Sequence, residues 1–380
     1  MSESRGFVPP PYPYDRLDEL RAVAGTLPGG AVDLSIGTPC DPPAAMVVDA
    51  LARSGAERGY PPSIGTPAFR EAAAGWLSRR FGVSVDPGVV AACIGTKELV
   101  AGIPQWLRLR TPSRDTVLYP QVSYPTYAMG AILAGCRAVP YARPDEIPAA
   151  EADRALCLWV NSPANPTGEV ADLAAAAAWG RRQGVPVLSD ECYIEFTWDG
   201  PGRTILSEGG EGVVALHSLS KRSNLAGARV GFYTGDPDLV RYLSEVRKHA
   251  GFMVPGPVQA AGTVALGDDT HVDAQRERYL RRLDRLAAAL TAAGVPSRRP
   301  PATFYLWVAA PGGDAWALAS RLAAEAGTIV SPGEFYGDAG AGHVRIAVVQ
   351  PDERLDLAVE RLERGAVRAG GPSGGSLSPG

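Results

Sequence analysis

The chain has 380 residues, with 37 basic and 41 acidic side chains, a net charge of -4 and 46% hydrophobic residues. This near balance excludes the basic footprint of a nucleic-acid binder and an acidic tail, while the apolar content supports a large core, in one big domain or a large and a small one. The basic residues are 34 arginines and only three lysines, Lys97, Lys221 and Lys248, so chemistry that needs a primary amine has three candidates.

In chain order, helical periodicity predicts helices over about 66 to 81, 97 to 109 and 125 to 134, then 171 to 183 and 237 to 249. Among them fall short apolar runs bounded by Gly, Pro, Asp or Asn, which read as strands: Thr116 to Tyr119, Ala138 to Tyr141, Ala155 to Val160, Val185 to Ser189, Val213 to Leu216 and Arg229 to Tyr233. Alternation of strand and helix predicts an α/β fold with a mostly parallel, helix-covered sheet. From about 256 the pattern turns to long helices, notably 271 to 293, followed by an apolar run Phe304 to Ala309 and a last helix near 352 to 364, a smaller α+β domain. The expected division is an N-terminal arm over 1–30, a large domain over 31–265 with 31–45 contributing to the small-domain side, a small domain over 266–365, and a disordered Gly/Ser/Pro-rich tail over 366–380. Residues 1 to about 15 also read as loosely attached.

No run approaches about 18 apolar residues, and the start MSESRGFVPPPYPYD lacks the order of a signal peptide, so a cytoplasmic protein without a membrane partner is expected. Five scattered cysteines without C-x-x-C, and four histidines never paired at i,i+4, argue against a disulfide framework or a metal site.

Ligands of α/β sheets gather at the carboxyl ends of strands. Four features stand there. Asp190 ends VPVLSD. Lys221, in HSLSKRSNLAGARVGF, is a lysine retained in a chain that otherwise uses arginine, and arginine cannot replace a nucleophilic amine. Asn165 lies in NSPANPTG, a turn in which Gly168 permits a left-handed backbone. Gly95-Thr96-Lys97 opens a helix, where backbone N–H groups bind anions; its order, G-T-K, is not that of a Walker loop. A lysine for an imine, an aspartate for a pyridinium proton and a helix terminus with hydroxyls and an arginine for a phosphate describe one ligand, pyridoxal phosphate.

The motifs G-Y-P-P-S-I-G, G-T-K-E-L, S-Y-P-T-Y, N-S-P-A-N-P-T-G, S-D-E-C-Y, H-S-L-S-K and H-V-R-I together resemble the fold-type I, class I/II pyridoxal-phosphate aminotransferases over about residues 30 to 365. The resemblance implies that Lys221 is the Schiff-base lysine, that Asp190 pairs with the pyridine nitrogen, and that Tyr193 and Asn165 hydrogen-bond the ring oxygen. It places the phosphate on Ser218, Ser220, Arg229 and the Thr96 and Lys97 backbone, stacks Tyr124 on the ring, and assigns the substrate carboxylate to Arg345 with the Gly37 backbone. Tyr60 would reach the phosphate of a neighbouring subunit, implying a homodimer with shared active sites.

The runs VDLSIGTPCDPP, HSLSKRSNLAG, RKHAGFMVPGPVQAA and GEFYG resemble bacterial N-succinyldiaminopimelate aminotransferases of lysine biosynthesis, implying glutamate as donor and N-succinyl-2-amino-6-oxopimelate as acceptor. Such a diacid needs a second cation, for which Arg247 and Lys248 are candidates. The runs IAVVQPDER and SRRPPATFYLWVAAPGGDAW depart from that subfamily. A paralogue of specialised metabolism, another aminotransferase or a lyase therefore stays open, with a non-catalytic ligand-binding module further off.

Overall fold

The structure, a computed structural model, describes residues 7–369. Its centre is a seven-stranded sheet in the spatial order Val90–Cys93, Gly231–Gly235, Val213–Ser218, Val187–Asp190, Ala155–Asn161, Thr116–Pro120 and Arg137–Tyr141. Gly231–Gly235 runs antiparallel to both its neighbours; the other pairs are parallel. Apart from the partly exposed edge strand Arg137–Tyr141, the strands are rich in apolar residues because both faces are covered. In Val213–Ser218, Val213 and Ala215 enter one core while Val214 and Leu216 enter the other, the period of two that a strand imposes. Fully burying each Val or Leu contributes about 1.5–3 kcal/mol.

A three-stranded antiparallel sheet is built from Ser331–Pro332, His343–Ala347 and Tyr305–Ala309, with Arg345 opposite Trp307 and Ser331. It belongs to a separate core with the helices Thr270–Ala292, Ala315–Ala326 and Asp352–Ala369. Asp18–Gly25, in the expected arm, is an amphipathic helix whose buried Leu20 and Ala24 join this core, and Leu17 just before it does the same. No helix among the described residues is long and apolar enough to cross a membrane.

The expected elements are present, with boundary shifts that have local causes. The strand anticipated from Val185 begins at Val187, because Pro186 offers no N–H to the ladder. The strand anticipated from Arg229 begins at Gly231, because Arg229 sits in the left-handed region at φ 58°. The last helix continues to Ala369, through helix-forming Ala and Arg residues at the start of the anticipated tail. Residues 370–380 of that tail, like 1–6 of the arm, lie outside the described residues.

Candidate active site

The carboxyl edge of the seven-stranded sheet opens into a cavity of about 490 Å³. The parallel register brings Asn161 level with Asp190, and Asp190 level with Leu216 two residues before Ser218, so successive strand ends deliver polar side chains to one wall. Twelve of the thirteen site residues anticipated from the sequence line this cavity; Tyr60 does not.

At its floor Asp190 is buried, and its Oδ2 accepts a hydrogen bond from the Tyr127 hydroxyl at 2.8 Å while Oδ1 accepts from the Cys192 N–H at 3.2 Å. Burial raises its carboxyl above the usual range despite these donors. Tyr127 is itself held by stacking on Trp159, ring centroids 5.1 Å apart.

Lys221 stands in the one-turn helix Leu219–Arg222, whose N-cap Ser218 accepts from the Ser220 N–H at 3.1 Å. Its amine donates to the Gly37 carbonyl. Removal from water, with Arg345 and Arg229 nearby, lowers the amine to about 8. Gly37 can approach so closely only because it has no Cβ, which would collide with the Tyr305 hydroxyl. Tyr193 shares a 2.8 Å hydrogen bond with that same hydroxyl.

At one end, Gly95 caps the helix Thr96–Arg110 at φ 71° without any side-chain acceptor for the first-turn N–H groups. Thr96 and Lys97 of that turn line the cavity together with Ser218, Ser220 and Arg229. A Cβ on Gly95 would meet the Arg229 guanidinium, so glycine lets the arginine lie over the loop. Uncapped N–H groups, two hydroxyls and a guanidinium are a donor set suited to a phosphate dianion.

At the other end Arg345 is 3% exposed, between the rings of Tyr305 at 4.2 Å and Tyr336 at 4.8 Å from the guanidinium carbon. Its Nη1 donates to Asn165 Oδ1 at 2.8 Å and its Nη2 to the Ser35 carbonyl at 2.5 Å and the Tyr14 hydroxyl at 3.3 Å, while Nε has no partner among the described residues. Because Asn165 Oδ1 is engaged, its Nδ2 is left as the donor. Tyr124 and the Lys97 side chain complete the mouth, where the Lys97 amine stands 5.4 Å over the Tyr12 ring.

The two cations proposed for a second carboxylate are elsewhere. Arg247 is buried and bidentate on Glu98, at 2.7 and 2.8 Å. Lys248 is 61% exposed and 3.6 Å from Glu245. Neither lines the cavity. Tyr60 is 97% exposed. Tyr127, Tyr305, Tyr14 and Cys192 are contacts that the motifs did not single out; an aromatic inside S-Y-P-T-Y or F-Y-L-W carries no mark separating a site residue from a core one.

The chain belongs to the class I and II aminotransferases, whose family model matches residues 30–362. It is therefore a transaminase of a pyridoxal-phosphate-dependent family. Among its relatives, it is 45% identical over 361 residues to the 4-dedimethylamino-4-oxo-anhydrotetracycline transaminase OxyQ of Streptomyces rimosus, covering 93% of this chain and 99% of that one. It is 35% identical to the LL-diaminopimelate aminotransferase of Desulforudis audaxviator, covering 93% and 95%. Among solved structures, a probable N-succinyldiaminopimelate aminotransferase from Thermus thermophilus superposes with a TM-score of 0.82 at 33% identity, covering 93% and 99%.

Proposed function

We propose that this aminotransferase holds pyridoxal phosphate at the carboxyl edge of its large sheet and moves the amino group of glutamate to an oxo compound with a second anionic group. The observation that carries this reading is the convergence of the Lys221 amine, the Asp190 carboxylate and the Arg345 guanidinium on one cavity. When bound, the cofactor supplies an aldehyde and a protonated ring that withdraws electron density from the substrate α-carbon. Lys221 Nζ would anchor it and would be the base that takes and returns the substrate α-proton. Asp190 would hold the proton on the ring nitrogen, and the Tyr193 hydroxyl and Asn165 Nδ2 would donate to the ring oxygen. Ser218, Ser220, Arg229 and the N–H groups of Thr96 and Lys97 hold the phosphate, and Tyr124 covers the ring. Arg345, with the Gly37 backbone, orients the α-carboxylate. Exposed Tyr60 reaches the neighbouring subunit's phosphate in a cytoplasmic homodimer, each subunit divided into a large and a small domain near residue 265.

Attachment needs the neutral amine, which predominates above the Lys221 value of about 8. The rate of pyridoxal phosphate capture by apoenzyme should therefore rise from pH 7 to about 8 and level off above 9, followed by absorbance. A profile still climbing steeply beyond pH 10 would mean an ordinary lysine does the work.

For the acceptor, likeness to diaminopimelate-type enzymes supports N-succinyl-2-amino-6-oxopimelate, its second carboxylate met by Lys97 rather than Arg247 or Lys248. The 45% identity with OxyQ supports a second reading, a ring ketone of a specialised metabolite. Mixing holoenzyme with glutamate should convert the bound cofactor from its aldehyde to its amine absorbance; no conversion sinks the glutamate assignment. An acceptor screen containing both compounds then decides: turnover of the succinylated oxo acid supports the first reading, and turnover of only the ketone replaces it. Ammonia released from one amino acid alone would point to a lyase.

A further inference from the structure

Arg247 has an environment that a surface cation does not. It is 1% exposed, with its guanidinium carbon 5.0 Å from the Phe252 ring centroid, 5.2 Å from that of Trp106 and 5.9 Å from that of Tyr233. Its two terminal nitrogens grip both oxygens of Glu98. Glu98 is in the first turn of Thr96–Arg110, and its Oε1 also accepts from the Ile94 N–H at 3.0 Å, so it shapes the turn that carries Gly95. That turn is the proposed phosphate cradle. A carboxylate in the first turn stabilises a helix, but this one directly follows Lys97, whose backbone belongs to the proposed cradle for a dianion. Like charges in a water-poor site repel strongly. The bidentate arginine both neutralises that carboxylate and fixes its direction.

We infer that the Glu98–Arg247 pair is a positioning device that holds the Ile94–Lys97 turn in shape while cancelling its negative charge, so that Arg247 sets the affinity for the phosphate of the cofactor without touching it. The inference rests on the phosphate assignment proposed above. It also gives the two members of the pair opposite signs. Arg247→Met leaves Glu98 charged and uncompensated, and weakens the cofactor. Glu98→Gln keeps an oxygen for the Ile94 N–H and leaves Arg247 charged, so cofactor binding is unchanged or tighter. The double variant returns to near the wild-type value.

The experiment measures the dissociation constants of pyridoxal phosphate and of pyridoxal, its phosphate-free counterpart, for the wild-type apoenzyme, Arg247→Met, Glu98→Gln and the double variant, with Arg247→Lys as a charge-retaining control. The expected result is at least about a tenfold loss of pyridoxal phosphate affinity in Arg247→Met, with pyridoxal affinity unchanged and the loss removed in the double variant. Equal weakening for both ligands, weakening by Glu98→Gln, or no recovery in the double variant would reduce the pair to ordinary packing and overturn the inference. Where Arg247→Met fails to fold, Arg247→Gln carries the same expectation, a loss of at least about tenfold for pyridoxal phosphate alone, and no loss, or an equal loss for pyridoxal, overturns it; Arg247→Lys, which keeps the charge but not the fork, should fall between wild type and the neutral variant. If wild-type apoenzyme shows no preference for pyridoxal phosphate over pyridoxal, the phosphate assignment itself falls, a result distinct from a wild-type preference that all variants keep.

Discussion

Replacing Lys221 by alanine should reduce transamination by at least about 10⁴-fold, because in the proposed site one amine both anchors the cofactor and moves the α-proton. The substitution is local: the one-turn helix that carries it is capped by Ser218 and keeps that cap in the variant. Neither remaining lysine can substitute. Lys97 reaches the cavity mouth from a different helix with its amine over Tyr12, and Lys248 is at the surface beside Glu245. Small amines added to Lys221→Ala should restore part of the proton transfer, which a collapsed site would not allow. In the wild type, borohydride reduction followed by peptide mapping should find the cofactor on Lys221; a label on Lys97 or Lys248 would reassign the anchor.

Asp190→Ala should lower kcat by on the order of 10³-fold, equivalent to about 4 kcal/mol of transition-state stabilisation, while the cofactor stays bound. In the proposed site the buried carboxylate would hold the proton on the ring nitrogen, and without it the ring would lose that proton and most of its capacity to accept electrons. The Tyr127 hydroxyl and the Cys192 N–H each lose an acceptor, so stability falls by about 1–3 kcal/mol for each donor left buried and unpaired. Cofactor content per chain and kcat at saturating glutamate separate the two effects. A variant within tenfold of wild-type kcat would show that the ring does not rely on Asp190.

Six of the seven strands were legible as short apolar runs bounded by Gly, Pro, Asp or Asn, as in Val187–Asp190 and Ala155–Asn161, whereas the buried edge strand Val90–Cys93, only four residues long, was not among them. The helix Ala315–Ala326 was not legible either, since AWALASRLAAEA is dominated by small residues and follows a Gly-Gly turn. His343–Ala347 entered only as the motif around Arg345, five residues being too few to show a period against the neighbouring glycines. Polar side chains that end strands could be found in the same way as the strands themselves. Residues that act from a distance could not. Arg247 read as a free cation because the carboxylate that engages it lies 149 residues away in the chain, and Tyr305 read as core because its role arises from the approach of Gly37 and Tyr193.

The two ends of the cavity are hung on different scaffolds. Asp190 and Ser218 are set by parallel register in the large sheet, whereas Arg345 and Tyr305 are set by antiparallel register in the small one. In the proposed site, drift in the small sheet would act first on the carboxylate-binding end, while Gly37 and Tyr305, which touch Lys221 and Tyr193, tie that end to the cofactor and must be kept. For an engineer, this makes the neighbours of Gly37, Tyr305 and Arg345 in the small sheet and in residues 12–36 the positions to diversify when a new acceptor is wanted, with those three residues and the large sheet left alone.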